Sequence, residues 1–260
     1  METALSLPFP FAVSAAFLLG LVIGSFSNAC IYRLPKQESV VFPASRCTSC
    51  NTPIKAVDNI PVLSYLLLRG KCRACGQKIS IAYPLIEIVT GLLFVAVVVK
   101  FGISWESLIY AIVCPALVII TVIDFQHQII PDRITLPGII FGLGAGSYLV
   151  GMINSGLGFL LGGGLFYLLA VLTQGRGMGG GDVKFIAGAG ALLGWQQVLL
   201  VIFLAAVLGS VIGLALMAAQ KKDRKSQIPF GPFLVLGTLA AIFFGEDLIR
   251  LYLTTVTSQF

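Results

Sequence analysis

Ser107-Leu-Ile-Tyr110-Ala-Ile-Val-Cys114-Pro115-Ala-Leu-Val-Ile-Ile-Thr-Val-Ile-Asp124 decides the class of this chain. The run carries no charge until its last residue. A stretch of about 20 apolar residues is what crosses a hydrocarbon core of about 30 Å. Ending such a run on a carboxylate is costly, and an ionisable group at membrane depth ordinarily faces a cavity or a bundle interior and has a function. Its position adds to the oddity. An anion near a helix C-terminus opposes the helix dipole, where lysine or arginine would fit.

The rest of the chain repeats the pattern. Of its 260 residues 57% are hydrophobic and 11% charged, and the mean hydropathy is +0.98. A soluble domain does not look like this. The expected fold is an all-α polytopic membrane protein with about eight transmembrane helices, near 9–31, 83–100, 107–124, 133–151, 156–174, 180–194, 197–219 and 229–249. The first lacks a basic n-region, since Glu2 is the charge that precedes it, and its apolar run is long for a signal peptide. It reads as a retained helix, with Pro8 and Pro10 at its start. All of the 17 lysines and arginines except Lys100 and Arg250 fall in 32–82, 125–134, 175–184 and 220–228 with their flanks. The positive-inside rule puts these four segments in the cytoplasm and both termini outside. The net charge of +6 is then accounted for by topology and anionic headgroups, with no call for nucleic acid.

The one sizeable polar segment, 32–82, holds Cys47-Thr-Ser-Cys50 and Cys72-Arg-Ala-Cys75-Gly76. Two C-x-x-C knuckles at this separation signal a tetrahedral structural zinc site with Cys47, Cys50, Cys72 and Cys75 as ligands. So small a domain gains folding free energy from its metal. Two disulfides are the alternative, disfavoured in a reducing cytoplasm. Cys30 and Cys114 lie in apolar spans and read as buried hydrophobes. The expected division is a first helix over 1–31, a zinc-binding loop domain over 32–82 and a helical bundle over 83–260.

A second carboxylate, Asp182, follows Gly177-Met-Gly179-Gly180-Gly181. Such a cluster disfavours regular helix and permits unusual backbone angles. Two carboxylates on separate spans can share a proton and activate water, as an aspartic protease does. Asp132 follows Pro131 and either caps the next helix or takes part in catalysis. Glu87, in Tyr83-Pro84-Leu-Ile-Glu87, either pairs with a basic residue at the interface or lines the site. His127 is the sole histidine and either tunes the site or is incidental. The runs at Gly142-Leu-Gly144-Ala-Gly146 and Gly156–Gly164 lack the Lys-Ser/Thr of a phosphate loop and read as close helix packing.

In order, Gly24-Ser25-Phe26-Ser27-Asn28, Ile31-Tyr32-Arg33-Leu34-Pro35, the paired knuckles, Tyr83–Glu87, Asp124 with Ile130-Pro131-Asp132, Gly179-Gly180-Gly181-Asp182 with Lys184, and Pro229-Phe230-Gly231-Pro232 resemble the type IV prepilin peptidases over nearly the whole chain. The resemblance implies an inner-membrane aspartic peptidase that cuts the basic leader from prepilins and pseudopilins at the cytoplasmic face. It maps the catalytic pair onto Asp124 and Asp182, with Glu87, Asp132, Lys184, Gly179 and Gly181 in support. The cysteine loop resembles the bifunctional members, which N-methylate the new N-terminus from S-adenosylmethionine. No fingerprint for that cofactor stands in the sequence, and its binding residues are unassigned. For orienting the amine, Glu87, Glu38 and Asp58 are the candidate carboxylates. The rival reading is a proton-coupled transporter with a zinc-binding regulatory loop.

Overall fold

In the computed structural model, residues 8–175, 178–219 and 229–257 are described. Of the residues the sequence reading used, Glu2, Arg176, Gly177, Lys221, Lys222, Arg224 and Lys225 lie outside them. The described chain is helical: α1 (Phe9–Arg33), α2 (Leu63–Leu67), α3 (Ala82–Phe101), α4 (Trp105–His127), α5 (Asp132–Leu149), α6 (Met152–Leu172), α7 (Gly180–Leu193), α8 (Trp195–Ala218) and α9 (Gly231–Thr257). A single 3-10 turn, Ala56–Asp58, lies in the loop before α2. Each of the eight expected spans has become a helix.

Six of these helices, α1, α3, α4, α6, α8 and α9, are long and apolar enough to cross a membrane. That is fewer than the eight expected, and the difference has a physical cause. α7 has 14 residues, which at 1.5 Å per residue is about 21 Å, short of the hydrocarbon thickness. α5 opens on Asp132 and Arg133, carries five glycine and proline residues' worth of low hydropathy between Pro137 and Gly146, and is 18 residues long.

The chain divides into two compact units, 1–119 and 120–260, with the boundary inside α4. In the first, α1 packs along α3. Small residues let them approach: a Cβ on Gly20 would stand 2.7 Å from the Gly91 Cα, and one on Gly24 2.7 Å from the Glu87 Cα. Asn28 donates to the Tyr83 carbonyl across the same seam, 3.1 Å.

In the second unit, α7 is sandwiched by α5 and α6, while α8 packs on α9. Glycines supply the contact surfaces. Gly142 faces the Gly188 carbonyl, Gly158 the Gly190 carbonyl and Gly162 the Ile186 carbonyl, each closer than a side chain permits. This is the close packing expected of the glycine runs. Every residue from Phe185 to Leu193 is buried, so α7 is the unit's central element and carries Asp182 at its mouth.

Candidate functional site

The loop of the first unit is built as two matching knuckles. In one, the Cys47 N–H donates to the Thr52 carbonyl (3.0 Å) and the Asn51 N–H to the Cys47 carbonyl (3.0 Å). In the other, the Cys72 N–H donates to the Gln77 carbonyl (2.8 Å) and the Gly76 N–H to the Cys72 carbonyl (2.9 Å). The residue four beyond each leading cysteine is left-handed, Asn51 at φ 56° and Gly76 at φ 71°, a conformation these two residue types tolerate. The four sulfur atoms lie within 4.8 Å of one another, and Cys47 and Cys75 Sγ are 3.9 Å apart. Sulfurs at Zn–S distances of about 2.3 Å in a tetrahedron are separated by nearly this much, so the donor set fits zinc. All six cysteines are free thiols, and Cys30 and Cys114 are buried as expected.

The thiols are unequal. Hydrogen bonds from the Thr52 side chain and backbone pull Cys50 down to about 6. Cys75 is pushed to about 11: a hydrogen bond from the Gln77 backbone works against this, and burial and the neighbouring cysteines outweigh it. Around the knuckles, Arg73 grips Asp58 through Nε and Nη2, with contacts of 2.6–3.1 Å. The buried Arg33 donates to the carbonyls of Ser39, Pro43 and Ala44 and so ties the loop to the end of α1.

Glu87 is buried but pairs with no basic side chain among the described residues. Its Oε2 accepts the Val62 N–H at 2.7 Å, with Ser25 as a second partner. Val62 is held at φ 60°, a strained setting for a β-branched residue. The carboxylate thus fastens the start of α2 to α3.

In the second unit, Asp124 and Asp182 each accept a backbone N–H at a helix N-terminus. Asp124 is 6% exposed, and its Oδ2 accepts the Gly231 N–H at 3.0 Å. Gly231 opens α9: the Phe230 carbonyl takes the first helical hydrogen bonds, from Phe233 and Leu234. The Gly231 N–H is therefore one of the unpaired donors of a helix N-terminus. This resolves the misfit seen in the sequence. Asp124 opposes the dipole of its own helix, but its carboxylate meets the positive end of another.

Asp182 is half-buried and uses the same device. It occupies the third position of α7, and its Oδ2 accepts the Gly179 N–H at 3.2 Å, the backward half of a capping box. Beside the starts of α7 and α9 stands Ile130, buried. A Cβ on Gly181 would lie 2.9 Å from the Ile130 Cβ, and one on Gly231 3.3 Å from its Cδ1.

Two expectations need correction here. The glycine cluster before Asp182 reads as disfavouring regular helix and permitting unusual backbone angles, yet its described members Gly179, Gly180 and Gly181 have no positive φ, and helix begins at Gly180. Gly181 is needed for its missing side chain, against Ile130. Asp132 does not cap α5, which has Pro131 before it and no side-chain cap. Its Oδ1 instead pairs with Lys184 Nζ at 2.7 Å, linking the start of α5 to α7. His127 is exposed at the end of α4.

Sequence reasoning gave no role to Ile130 or Gly231. A helix-opening Gly-Pro directly after Pro-Phe was the available signal for Gly231, because a helix N-terminus is a natural partner for a carboxylate.

Two family profiles cover most of the chain: the bacterial peptidase A24 N-terminal domain over residues 18–101 and the type IV leader peptidase family over residues 111–214. The chain belongs to the prepilin leader peptidase/N-methyltransferase family. Relatives bearing that name include one from Aeromonas hydrophila, 36% identical with 98% of each chain covered. Another, from Neisseria gonorrhoeae, is 39% identical over 89% of this chain and 90% of its own. A third, from Bacillus subtilis, is 32% identical over 93% and 98%. No solved structure matches the chain.

Proposed function

We propose that this protein cleaves the leader peptide from type IV prepilins and then N-methylates the new N-terminal residue. The carrying observation is similarity along nearly the full length to enzymes named for both activities. Two carboxylates met in one unit, each at a helix N-terminus, supply the chemistry that the first activity needs. Family membership displaces the transporter reading, for which nothing in the comparisons speaks.

For cleavage we assign the catalytic pair to Asp124 and Asp182. A carboxylate has about four acceptor sites, and each of these accepts one backbone N–H among the described residues, so both keep capacity for water and for a substrate carbonyl. One ionised aspartate takes a proton from water as it attacks the scissile carbonyl. The other, protonated, polarises that carbonyl, and a proton then passes to the leaving amine. The substrate's helical peptide bond must unwind locally to be reached. Lys184 and Asp132 brace α7 against α5, Gly179 supplies the N–H to Asp182, and Gly181 admits Ile130.

For topology, we assign α5 and α7 as further crossings, eight in all. Their glycines lock them to each other and to α6. Being short, α7 would hold Asp182 recessed from the surface. Both termini then face the periplasm, and the active site opens toward the cytoplasm of the inner membrane. The functional division is the first helix over 1–31, the loop domain over 32–82 and the peptidase bundle over 83–260. Pseudopilins share the basic leader chemistry and join prepilins as substrates.

Zinc would be held by Cys47, Cys50, Cys72 and Cys75 and would act structurally, since four thiolates leave no open position. S-adenosylmethionine, when bound, supplies an electrophilic methyl group. On the protein's side a carboxylate is needed to orient the acceptor amine. Asp58 is already gripped by Arg73, and Glu38 lies exposed beyond α1. Glu87 is buried with a backbone donor and spare acceptor capacity, which favours it. Glu87→Gln is expected to keep leader cleavage and lose methylation; full methylation in that variant removes Glu87 from the role.

The test is purified enzyme in liposomes with a prepilin, with and without S-adenosylmethionine, read by product mass. Leader loss that disappears in Asp124→Ala and in Asp182→Ala supports the pair. Undiminished cleavage in either variant breaks it, and no cleavage by folded wild type breaks the peptidase reading itself.

A further inference from the structure

We propose that Gly231 is a positioning residue for Asp124: the backbone N–H at the start of α9 holds the carboxylate, and the missing side chain is what lets it approach. The inference rests on the catalytic reading of Asp124 and adds a determinant from a distant part of the chain.

The geometry is specific. The Gly231 N–H reaches Asp124 Oδ2 at 3.0 Å inside the protein. A Cβ built on Gly231 would stand 2.6 Å from that same oxygen and 3.1 Å from the Asp124 Cγ. The backbone of Gly231 is not left-handed, so alanine needs no positive φ there and still donates the same N–H, while its Cβ also crowds Pro232. What other residues lack is the room. Ile130 closes the adjoining side, 3.3 Å from the same Cβ position. An added methyl therefore has to displace the carboxylate or the start of α9.

The corresponding contact at Asp182 is looser. A Cβ on Gly179 would meet Asp182 Oδ2 at 3.2 Å, and Gly179 is exposed. Asp124 is thus the fixed member of the pair and Asp182 the adjustable one. A misplacement of about 1 Å at a reacting group costs about 10²-fold in rate. Gly231→Ala is accordingly expected to lower kcat for leader cleavage by about that factor, with KM little changed. Gly179→Ala is expected to cost less.

Gly209→Ala is the packing control. The atoms nearest its Cβ would be in the rings of Phe233 (3.3 Å) and Phe230 (3.4 Å) at the same end of α9, and cleavage is expected to stay near wild type. Methylation of a pilin already freed of its leader reports the folded fraction of each variant. The expected result is a selective loss of cleavage in Gly231→Ala with methylation kept. Cleavage within about twofold of wild type overturns the inference, and so does equal loss of both activities, which would make Gly231 a folding residue. A loss in Gly209→Ala matching that in Gly231→Ala overturns it as well. Asp124→Ala runs beside them: if it still cleaves, the catalytic reading fails, whereas a dead Asp124→Ala with an active Gly231→Ala sinks the Gly231 inference alone.

Discussion

In the loop of the first unit, polar groups are met several times over. Arg33 has three carbonyls, Asp58 has two N–H groups of Arg73, and four thiols face one another at metal-binding distance. In the second unit, Asp124 and Asp182 accept one backbone N–H each among the described residues. The loop lies outside the spans and has a small core, so its polar contacts must hold it together. The aspartates sit in a bundle locked by glycine contacts, and each keeps acceptor capacity beyond its one helix-start N–H. Saturated polarity marks the loop, and spare acceptor capacity marks the site proposed to be reactive.

The sharpest way to break this contrast is to neutralise the two carboxylates proposed as catalytic. Asp124→Asn and Asp182→Asn preserve shape and are expected to lower leader cleavage by about 10²–10⁴-fold. Zinc content and methylation of a pre-cut pilin should stay at wild-type levels. If either variant loses zinc or unfolds, the aspartates carry structure too and the contrast collapses. The converse experiment acts on the loop. Cys72→Ser or strong chelation should remove the metal and make 32–82 protease-sensitive, because structural zinc supplies about 10–16 kcal/mol of apparent binding free energy in small modules. Elemental analysis and limited proteolysis read this directly; a protease-resistant loop without zinc would show that its hydrogen bonds suffice.

Most of this contrast was legible in the sequence. The apolar runs announced the helices, and the cysteine spacing announced the cluster, because both signals are local. Asp124 and Asp182 stood out as two carboxylates where carboxylates are expensive, and their catalytic pairing is a proposal. Three things were not legible, and each depends on a partner distant in sequence. Asp124 finds its donor 107 positions later, at Gly231. Asp132 looked like a cap by its place after proline, but Lys184, 52 positions on, takes its carboxylate. The glycines before Asp182 looked like a source of unusual backbone angles, whereas Gly181 serves a side-chain contact with Ile130 that local composition does not encode.

Smaller effects sharpen the comparison. Lys184→Ala removes the pair with Asp132, whose members are 38% and 56% exposed. Exposed pairs contribute about 0–1 kcal/mol, so the melting temperature should barely move. A modest fall in cleavage would then report the placement of α7 rather than stability. A large thermal loss would instead give Lys184 a structural weight that its exposure does not predict.

The weakest expected effect is a pH dependence confined to the loop. The Arg73 hydrogen bonds, and then the Arg73 and Lys55 charges, hold the Asp58 carboxyl below the usual carboxylate range. A carboxylate that is more acidic folded than unfolded stabilises the fold above its unfolded value, about 3.9 for aspartate, and that contribution fades as pH falls through the folded value. The window therefore lies below about pH 5. Thiolate protonation weakens zinc binding in the same direction, so wild type alone cannot separate the two. The difference between wild type and Asp58→Asn can, because the variant keeps the cysteines and loses the titrating group. Amide exchange across 47–78 should give a difference that is constant near neutrality and shrinks toward pH 3. A difference that persists unchanged into acid would mean that Asp58 holds Arg73 by shape and hydrogen bonding without its charge, and polarity in the loop would then be structural even when neutral.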